Sequence, residues 1–102
     1  MNKAVKKLYE EWEKIDKIRV FEVEVIDKRT EEKEYLIFDI SFEKHSLIAR
    51  HEPLFKYQLK SKKIAYIKLT VDPFFSLTEN LELLYECCIY AIIESDFYEL
   101  TE

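Results

Sequence analysis

The chain contains no glycine among its 102 residues, and this absence restricts both its turns and its chemistry. Glycine reaches positive φ without strain and lets a backbone approach a ligand closely. Phosphate-cradling and dinucleotide-binding loops depend on it, so both kinds of site are excluded in their ordinary forms. The turns must therefore be made by Asp, Asn, Lys, Ser and the two prolines.

The length predicts one α+β domain over residues 1–102, because two cores of half this size would each be marginal. A hydrophobic fraction of 48% with 36% charged residues is typical of a soluble globular protein. No apolar run approaches the roughly 20 residues of a membrane-spanning helix, and the N-terminus lacks the apolar stretch of a secretory signal. Two cysteines that need no bridge fit a reducing compartment, so we expect a cytoplasmic protein.

The hydrophobic periodicity predicts an α+β fold of the order α-β-β-(β)-β-β-α. Residues 3–16 have the apolar spacing of an amphipathic helix. Residues 17–27 and 35–42 alternate apolar and polar side chains as half-buried strands do, and we expect them to pair as an antiparallel hairpin with a long connection. The resulting architecture is an antiparallel four- to five-stranded sheet with the N-terminal and C-terminal helices packed on one face. The tail, from residue 96 onwards, is expected to be frayed or packed loosely by Phe97.

The middle of the chain permits two interpretations. Residues 46–52 form a short predicted strand that ends before Pro53, since the residue before a proline disfavours a helix. Residues 54–60 and 64–71 both alternate apolar and polar side chains, so a tight turn at Ser61-Lys62 would pair them as a hairpin. Residues 54–60 could equally form one or two helical turns.

A second helix is predicted after Pro73, because Ser76 and Glu79 have the spacing of a capping box. One apolar stripe of this helix is expected to pack on the sheet: Leu77, Leu81, Leu84, Cys88, Ala91, Ile92 and Ser95. A second apolar set, comprising Leu83, Cys87, Tyr90 and Ile93, points elsewhere. Either the first helix covers this second set or a partner chain does, and a second copy is one such partner.

The cysteines and histidines give no strong prediction of a metal or redox site. Adjacent cysteines on a helix point in different directions, and a zinc site needs two spaced pairs of ligands, so Cys87 and Cys88 are expected to pack in the core. His45 and His51 are expected on the surface, on a loop or edge strand. We therefore predict no metal and no cofactor, and assign no catalytic residue. A small enzyme with a His/carboxylate site is kept as an alternative.

The distribution of charge is the functional clue. Residues 72–102 hold eight Asp and Glu residues and no Lys or Arg, whereas residues 44–68 hold seven basic residues and one acidic residue. Such patches select partners and speed their encounter. The sequence therefore predicts a small non-enzymatic protein-interaction module, in the class of inhibitor, immunity or regulatory factors. The candidate partner-binding residues are Glu79, Glu82, Glu86, Tyr90 and Ile93.

The basic segment of residues 44–68 offers a different function. Its lysines could contact phosphates while an aromatic ring stacks on a base. The candidate nucleic-acid-binding residues are Lys56, Tyr57, Lys60, Lys62 and Lys63. The sequence pI of about 5.2 argues against this alternative, because nucleic-acid-binding domains are usually basic.

Overall fold

The computed structural model describes residues 3–15, 19–51 and 62–101, with the backbone alone at Lys62 and Lys63. Within these ranges the chain forms, in order, α1 (Lys3–Glu13), β1 (Val20–Asp27), β2 (Lys33–Glu43), β3 (Ser46–Arg50), α2 (Lys62–Ala65), β4 (Tyr66–Thr70), α3 (Leu77–Ile93) and β5 (Tyr98–Leu100). No helix in the described part of the chain is both long and apolar enough to cross a membrane.

The five strands form one antiparallel sheet in the order β4-β3-β2-β1-β5. The predicted hairpin of the first two strands is confirmed, with Val23 opposite Leu36. The α+β class and the antiparallel sheet between an early and a late helix are confirmed as well. Because β2 is longer than β3, only Asp39–Glu43 of β2 pairs with β3.

The helices pack on one face of the sheet. Successive strand residues point to opposite faces, so Phe21 on β1 and Phe42 on β2 share a face by register. The ring of Phe42 meets Tyr9 of α1 at 5.4 Å, and the ring of Phe21 meets Tyr85 of α3 at 5.3 Å. The core lies between this face and the two helices. Its strand residues include Val23, Val25, Leu36, Phe38, Ile40, Phe42, Leu47 and Ala49.

Two predictions are wrong, one about the turn at Ser61-Lys62 and one about the C-terminal tail. Lys62–Ala65 forms the short helix α2, so it is not half of a tight turn at Ser61-Lys62, and β4 pairs with β3. Residues 54–60 and Ser61 lie outside the described residues. The tail is not frayed in the described residues, because Tyr98–Leu100 pairs with β1 as β5 and Tyr98 is buried. Three residues are too few for a periodicity, so a strand of this length escapes the sequence pattern.

The absence of glycine has a visible structural consequence. Glu31 and Lys44 take positive φ values, 59° and 56°, in the turns after β1 and β2. Lys44 is the first residue of the two-residue turn between Glu43 and Ser46, a position where glycine is the usual residue of a type II′ hairpin. A side chain in the left-handed region costs about 1–2 kcal/mol. The turn is therefore strained.

We expect Lys44→Gly to raise the free energy of unfolding by about 0.5–1 kcal/mol, since relief of strain exceeds the extra flexibility of the unfolded chain. Lys28→Gly is the matched control, because Lys28 lies in a turn at negative φ and should lose about 0.4–1 kcal/mol. Urea denaturation of both variants measures the difference. Equal losses in the two variants would contradict the assignment of strain to Lys44.

Candidate functional site

Helix α3 is fixed on the sheet by the apolar stripe that the sequence predicts. Leu84, Cys88 and Ile92 are fully buried, and Leu77, Ala91 and Ser95 are nearly so. Leu81 is half-buried against the same core. The predicted capping box is confirmed, because the Glu79 N–H donates to the Ser76 hydroxyl and the Glu79 carboxylate accepts from the Ser76 N–H. The start and the orientation of α3 are therefore well determined.

Asn80 joins α3 to the turn that precedes it. Its side chain is completely buried, and its Oδ1 accepts from the Asp72 N–H at 2.7 Å. Its Nδ2 donates to the carbonyls of Asp72 and Ser76 at 3.0 and 2.9 Å. The Asp72 carboxylate in turn accepts from the Phe74 N–H at 2.9 Å. The turn from Asp72 to Ser76 is thus held from both ends.

This ordered turn presents two aromatic side chains to solvent. Phe74 is 94% exposed and Phe75 is 42% exposed. Neither residue was among the sequence-predicted candidates. The sequence does contain a signal for their exposure. Two adjacent aromatic residues lie between Pro73 and the N-cap Ser76, where no strand or helix face is expected to bury them. Large apolar side chains held rigidly in solvent are typical anchors of protein interfaces.

The outward edge of α3 contains all five predicted partner-binding residues, and all five are exposed: Glu79, Glu82, Glu86, Tyr90 and Ile93. Tyr90 is 67% exposed and Ile93 is 57% exposed. The other two members of the second apolar set, Leu83 and Cys87, are half-buried. Of the two alternatives for this set, coverage by α1 fails for Tyr90 and Ile93, and coverage by a partner chain stays a prediction.

Within the described residues, no cation compensates the charge of Glu82 and Glu86 on this edge. In the described residues, ion pairs join Arg29 to Asp27, Lys33 to Glu24 and Arg50 to Glu43. Neither Glu82 nor Glu86 pairs with a cation of the described chain, and α3 has no Lys or Arg. Glu79 differs, because its carboxylate completes the capping box.

Shallow grooves flank the outward edge of α3 in the described part of the chain, and two of them contain its glutamates. One, of about 400 Å³, runs between the helix and β1 and is lined by Phe21, Leu81, Glu82, Tyr85 and Glu86. The other, of about 430 Å³, is lined by Tyr85, Glu86, Ile89, Tyr90 and Ile93. Tyr85 and Glu86 belong to both. Each groove therefore combines an aromatic or aliphatic wall with a carboxylate that has no ion pair among the described residues.

The cysteines are not arranged for chemistry. Both are free thiols, and burial raises the pKa of Cys88 to about 12, so its thiolate is scarce at neutral pH. Cys88 packs in the core as predicted, whereas Cys87 is only half-buried. In the described ranges no three His, Cys, Asp or Glu side chains lie close enough to hold a metal ion.

The histidines separate into two environments. His45 is exposed in the turn between β2 and β3, as predicted. His51 is buried, so its predicted surface position is wrong. A hydrogen bond of 3.1 Å between its ring Nδ1 and the carbonyl oxygen of Ile37 holds the side chain inside. The ring also packs beside the ring of Phe38. His51 also lines a cavity with Glu34 and Asp39.

The nucleic-acid-binding candidates fall largely outside the part that the structure describes. Lys56, Tyr57 and Lys60 are outside it, and Lys62 and Lys63 are described only as the backbone that begins α2. These candidates stay a prediction.

We expect Asn80→Ala to lower the free energy of unfolding by about 2–4 kcal/mol, because it leaves buried backbone groups of the turn without partners. Thr78→Ala is the control, because Thr78 is an exposed residue on the same helix. We expect its free energy of unfolding to change by no more than about 0.5 kcal/mol. Amide hydrogen exchange should show faster exchange at Asp72 in Asn80→Ala. Wild-type stability and exchange in that variant would contradict the role of Asn80.

Comparisons with known proteins gave no match: no family model, no curated protein and no solved structure matches the chain. The function is therefore inferred from the contacts, exposure and charge of the residues described above.

Proposed function

We propose that the chain is a small protein-interaction module that binds a basic partner protein through the outward edge of α3. The observation that carries the proposal is the position of Glu82 and Glu86, without ion pairs in the described residues, on the same helical edge as the exposed Tyr90 and Ile93. Inhibitors, immunity proteins and regulatory factors work by such contacts. A cytoplasmic location, supported by two free thiols, belongs to the same proposal.

The chemistry of the edge specifies the partner surface. The carboxylates of Glu82 and Glu86 favour Lys or Arg, while Tyr85, Tyr90 and Ile93 favour an apolar or aromatic side chain between those cations. Tyrosine is enriched among the residues that dominate binding energy at interfaces. Opposite charge chiefly raises the association rate and excludes wrong partners. A basic amphipathic segment with an apolar stripe would satisfy both requirements.

A second copy fits this edge less well than a basic partner. Pairing α3 with α3 would bring together helices that have carboxylates and no Lys or Arg, and like charges across an interface are unfavourable. Self-association through α3 is therefore an alternative that the experiment must distinguish.

The experiment compares capture by wild-type chain with capture by Glu82→Lys/Glu86→Lys, using extract of the source cells and quantitative mass spectrometry. The control is Glu22→Lys/Glu99→Lys, which makes the same charge change at exposed positions on the opposite face of the sheet. We expect the control to retain a captured partner and the α3 variant to lose it. The purified partner should then bind the α3 variant about tenfold or more weakly, and binding should weaken with added salt.

Two results would overturn the proposal. Equal capture by the α3 variant and by the control would remove the edge of α3 from the interface. The second result is recovery of the chain without a partner, together with a dimer that forms equally well in the α3 variant by sedimentation. Self-association would then use another surface. Tyr90→Ala/Ile93→Ala should reproduce the loss without a change in charge.

A further inference from the structure

One edge of β1 has no strand partner along its first half in the described chain. β5 pairs with residues 25–27, so residues 20–24 have β2 as their strand neighbour among the described residues. The pairing of β1 with β2 runs from Val20 to Ile26 without a bulge. A regular strand edge of this kind offers a row of backbone N–H and C=O groups to another chain. We call residues 20–24 the open edge of β1.

The hydrogen bonds at the other end of β1 show which backbone groups point outward from this edge. Asp27 donates its N–H to the carbonyl of Glu32, on the side of β2. Lys28 donates its N–H to the carbonyl of Phe97, on the side of β5. These directions alternate along an antiparallel strand. The even-numbered residues of β1 therefore direct their backbone groups away from β2.

Two residues of the open edge present such groups without a described strand beside them. Val20 and Glu22 each direct an N–H and a C=O away from β2, and no hydrogen bond joins these groups to a described residue. A small cation needs acceptors alone and a small anion needs donors alone. Alternating donors and acceptors match the main chain of an added strand, whose backbone bonds supply affinity.

The helix-facing side of the open edge continues into the groove between β1 and α3. Phe21 lies on that side, with its ring 5.3 Å from the ring of Tyr85. Both rings line the groove of about 400 Å³, whose lining also includes Glu82 and Glu86. An added strand would lie about 4.8 Å from β1, and its residue opposite Phe21 would point to the same face. Alternate side chains of that strand would therefore enter the groove.

The groove favours long basic side chains at those alternate positions. The aliphatic stem of Lys or Arg can pack on the rings of Phe21 and Tyr85 while its charged head reaches a carboxylate of α3. Glu82 and Glu86 supply these carboxylates, and neither has an ion pair among the described residues. The side chains between the basic ones would lie in water on the opposite face, beside the exposed Glu22.

We propose that the open edge of β1 binds an extended basic segment of the partner protein as an added antiparallel strand, with alternate Lys or Arg side chains in the groove. The inference rests on the proposed function, because the groove shares Glu82 and Glu86 with the outward edge of α3. It adds the conformation of the partner segment. Glu22 contributes its backbone and not its side chain, so reversal of its charge leaves this contact in place.

A second copy of β1 fits the same edge less well. Its groove-facing residues would be Phe21 and Val23, which bring no positive charge to the glutamates of α3. An extended segment with Lys or Arg at every second position satisfies the backbone groups and the carboxylates together.

The test is a titration of the full chain, labelled with ¹⁵N, with a hexapeptide of alternating lysine and threonine whose ends are acetylated and amidated. The matched control is the same peptide with every backbone amide N-methylated, since it keeps the charge and the side chains but has no backbone N–H. We expect saturable chemical-shift changes and slower hydrogen exchange at the amides of Val20 and Glu22. The methylated peptide should bind at least about tenfold more weakly, because it cannot form the backbone hydrogen bonds.

Variants of the chain test the edge separately from the groove. Glu22→Pro removes one outward N–H, and proline is tolerated where a strand edge faces solvent, so peptide binding should weaken about tenfold. Glu22→Gln is the matched control, because it keeps the N–H, and it should bind within about twofold of wild type. Unchanged amide signals of β2 show that Glu22→Pro is folded. If that variant does not fold, the methylated peptide alone decides.

Three results would each overturn the inference: equal binding of the two peptides, equal binding by Glu22→Pro and Glu22→Gln, or no saturable shift at Val20 and Glu22. Its failure is distinguishable from failure of the proposed function. Loss of the captured partner in Glu82→Lys/Glu86→Lys, with retention in Glu22→Pro, would mean that the partner binds α3 without extending the sheet.

Discussion

The packing of the inner stripe of α3 on the sheet is the interaction on which the other features depend. Leu84, Cys88 and Ile92 lose all contact with water, and complete burial contributes about 1.5–3 kcal/mol for each of Leu84 and Ile92. Asn80 and the capping box then determine where the helix begins. With its inner stripe and its start both fixed, the helix has no rotational freedom left. Its remaining residues must lie where the periodicity of 3.6 puts them.

The outward edge of α3 follows from that geometry. A helix with apolar residues in every direction buries only the part that faces the sheet and α1, so Tyr90 and Ile93 remain in water. Exposed apolar residues mean little when they are scattered, but here they share a helical line with Glu82 and Glu86, which have no ion pair in the described part of the chain. The turn from Asp72 to Ser76, at the start of the same helix, adds a further exposed aromatic side chain, Phe74. The proposed recognition of a basic, partly apolar surface would account for all three features.

Periodicity predicts the parts of this molecule that consist of long regular elements. The strand faces around Val23 and Phe38, the capping box at Ser76 and the buried stripe of α3 were all available from spacing alone. The short elements were not, because β5 and α2 contain only three and four residues. Their formation depends on pairing partners that are distant in sequence, which no local pattern reports.

The candidate site shows the same division. The exposure of Glu82 and Glu86 followed from helical spacing, whereas the burial of His51 depends on a carbonyl of Ile37 fourteen residues earlier. The turn from Asp72 to Ser76 depends on Asn80, whose side chain donates a hydrogen bond to the carbonyl of Asp72, eight residues earlier. Such contacts between side chain and backbone cannot be read from a periodic pattern. The missing sequence signals were therefore those of tertiary hydrogen bonds.

The central claim is that α3 buries one stripe and leaves the opposite edge in water, and solvent paramagnetic relaxation enhancement of side-chain signals tests it most directly. With a neutral soluble gadolinium chelate, we expect strong enhancement at the Ile93 methyl groups and the Tyr90 ring. The methyl groups of Leu84 and Ile92 should be protected. Equal protection of Ile92 and Ile93, or strong enhancement at Leu84, would contradict the account.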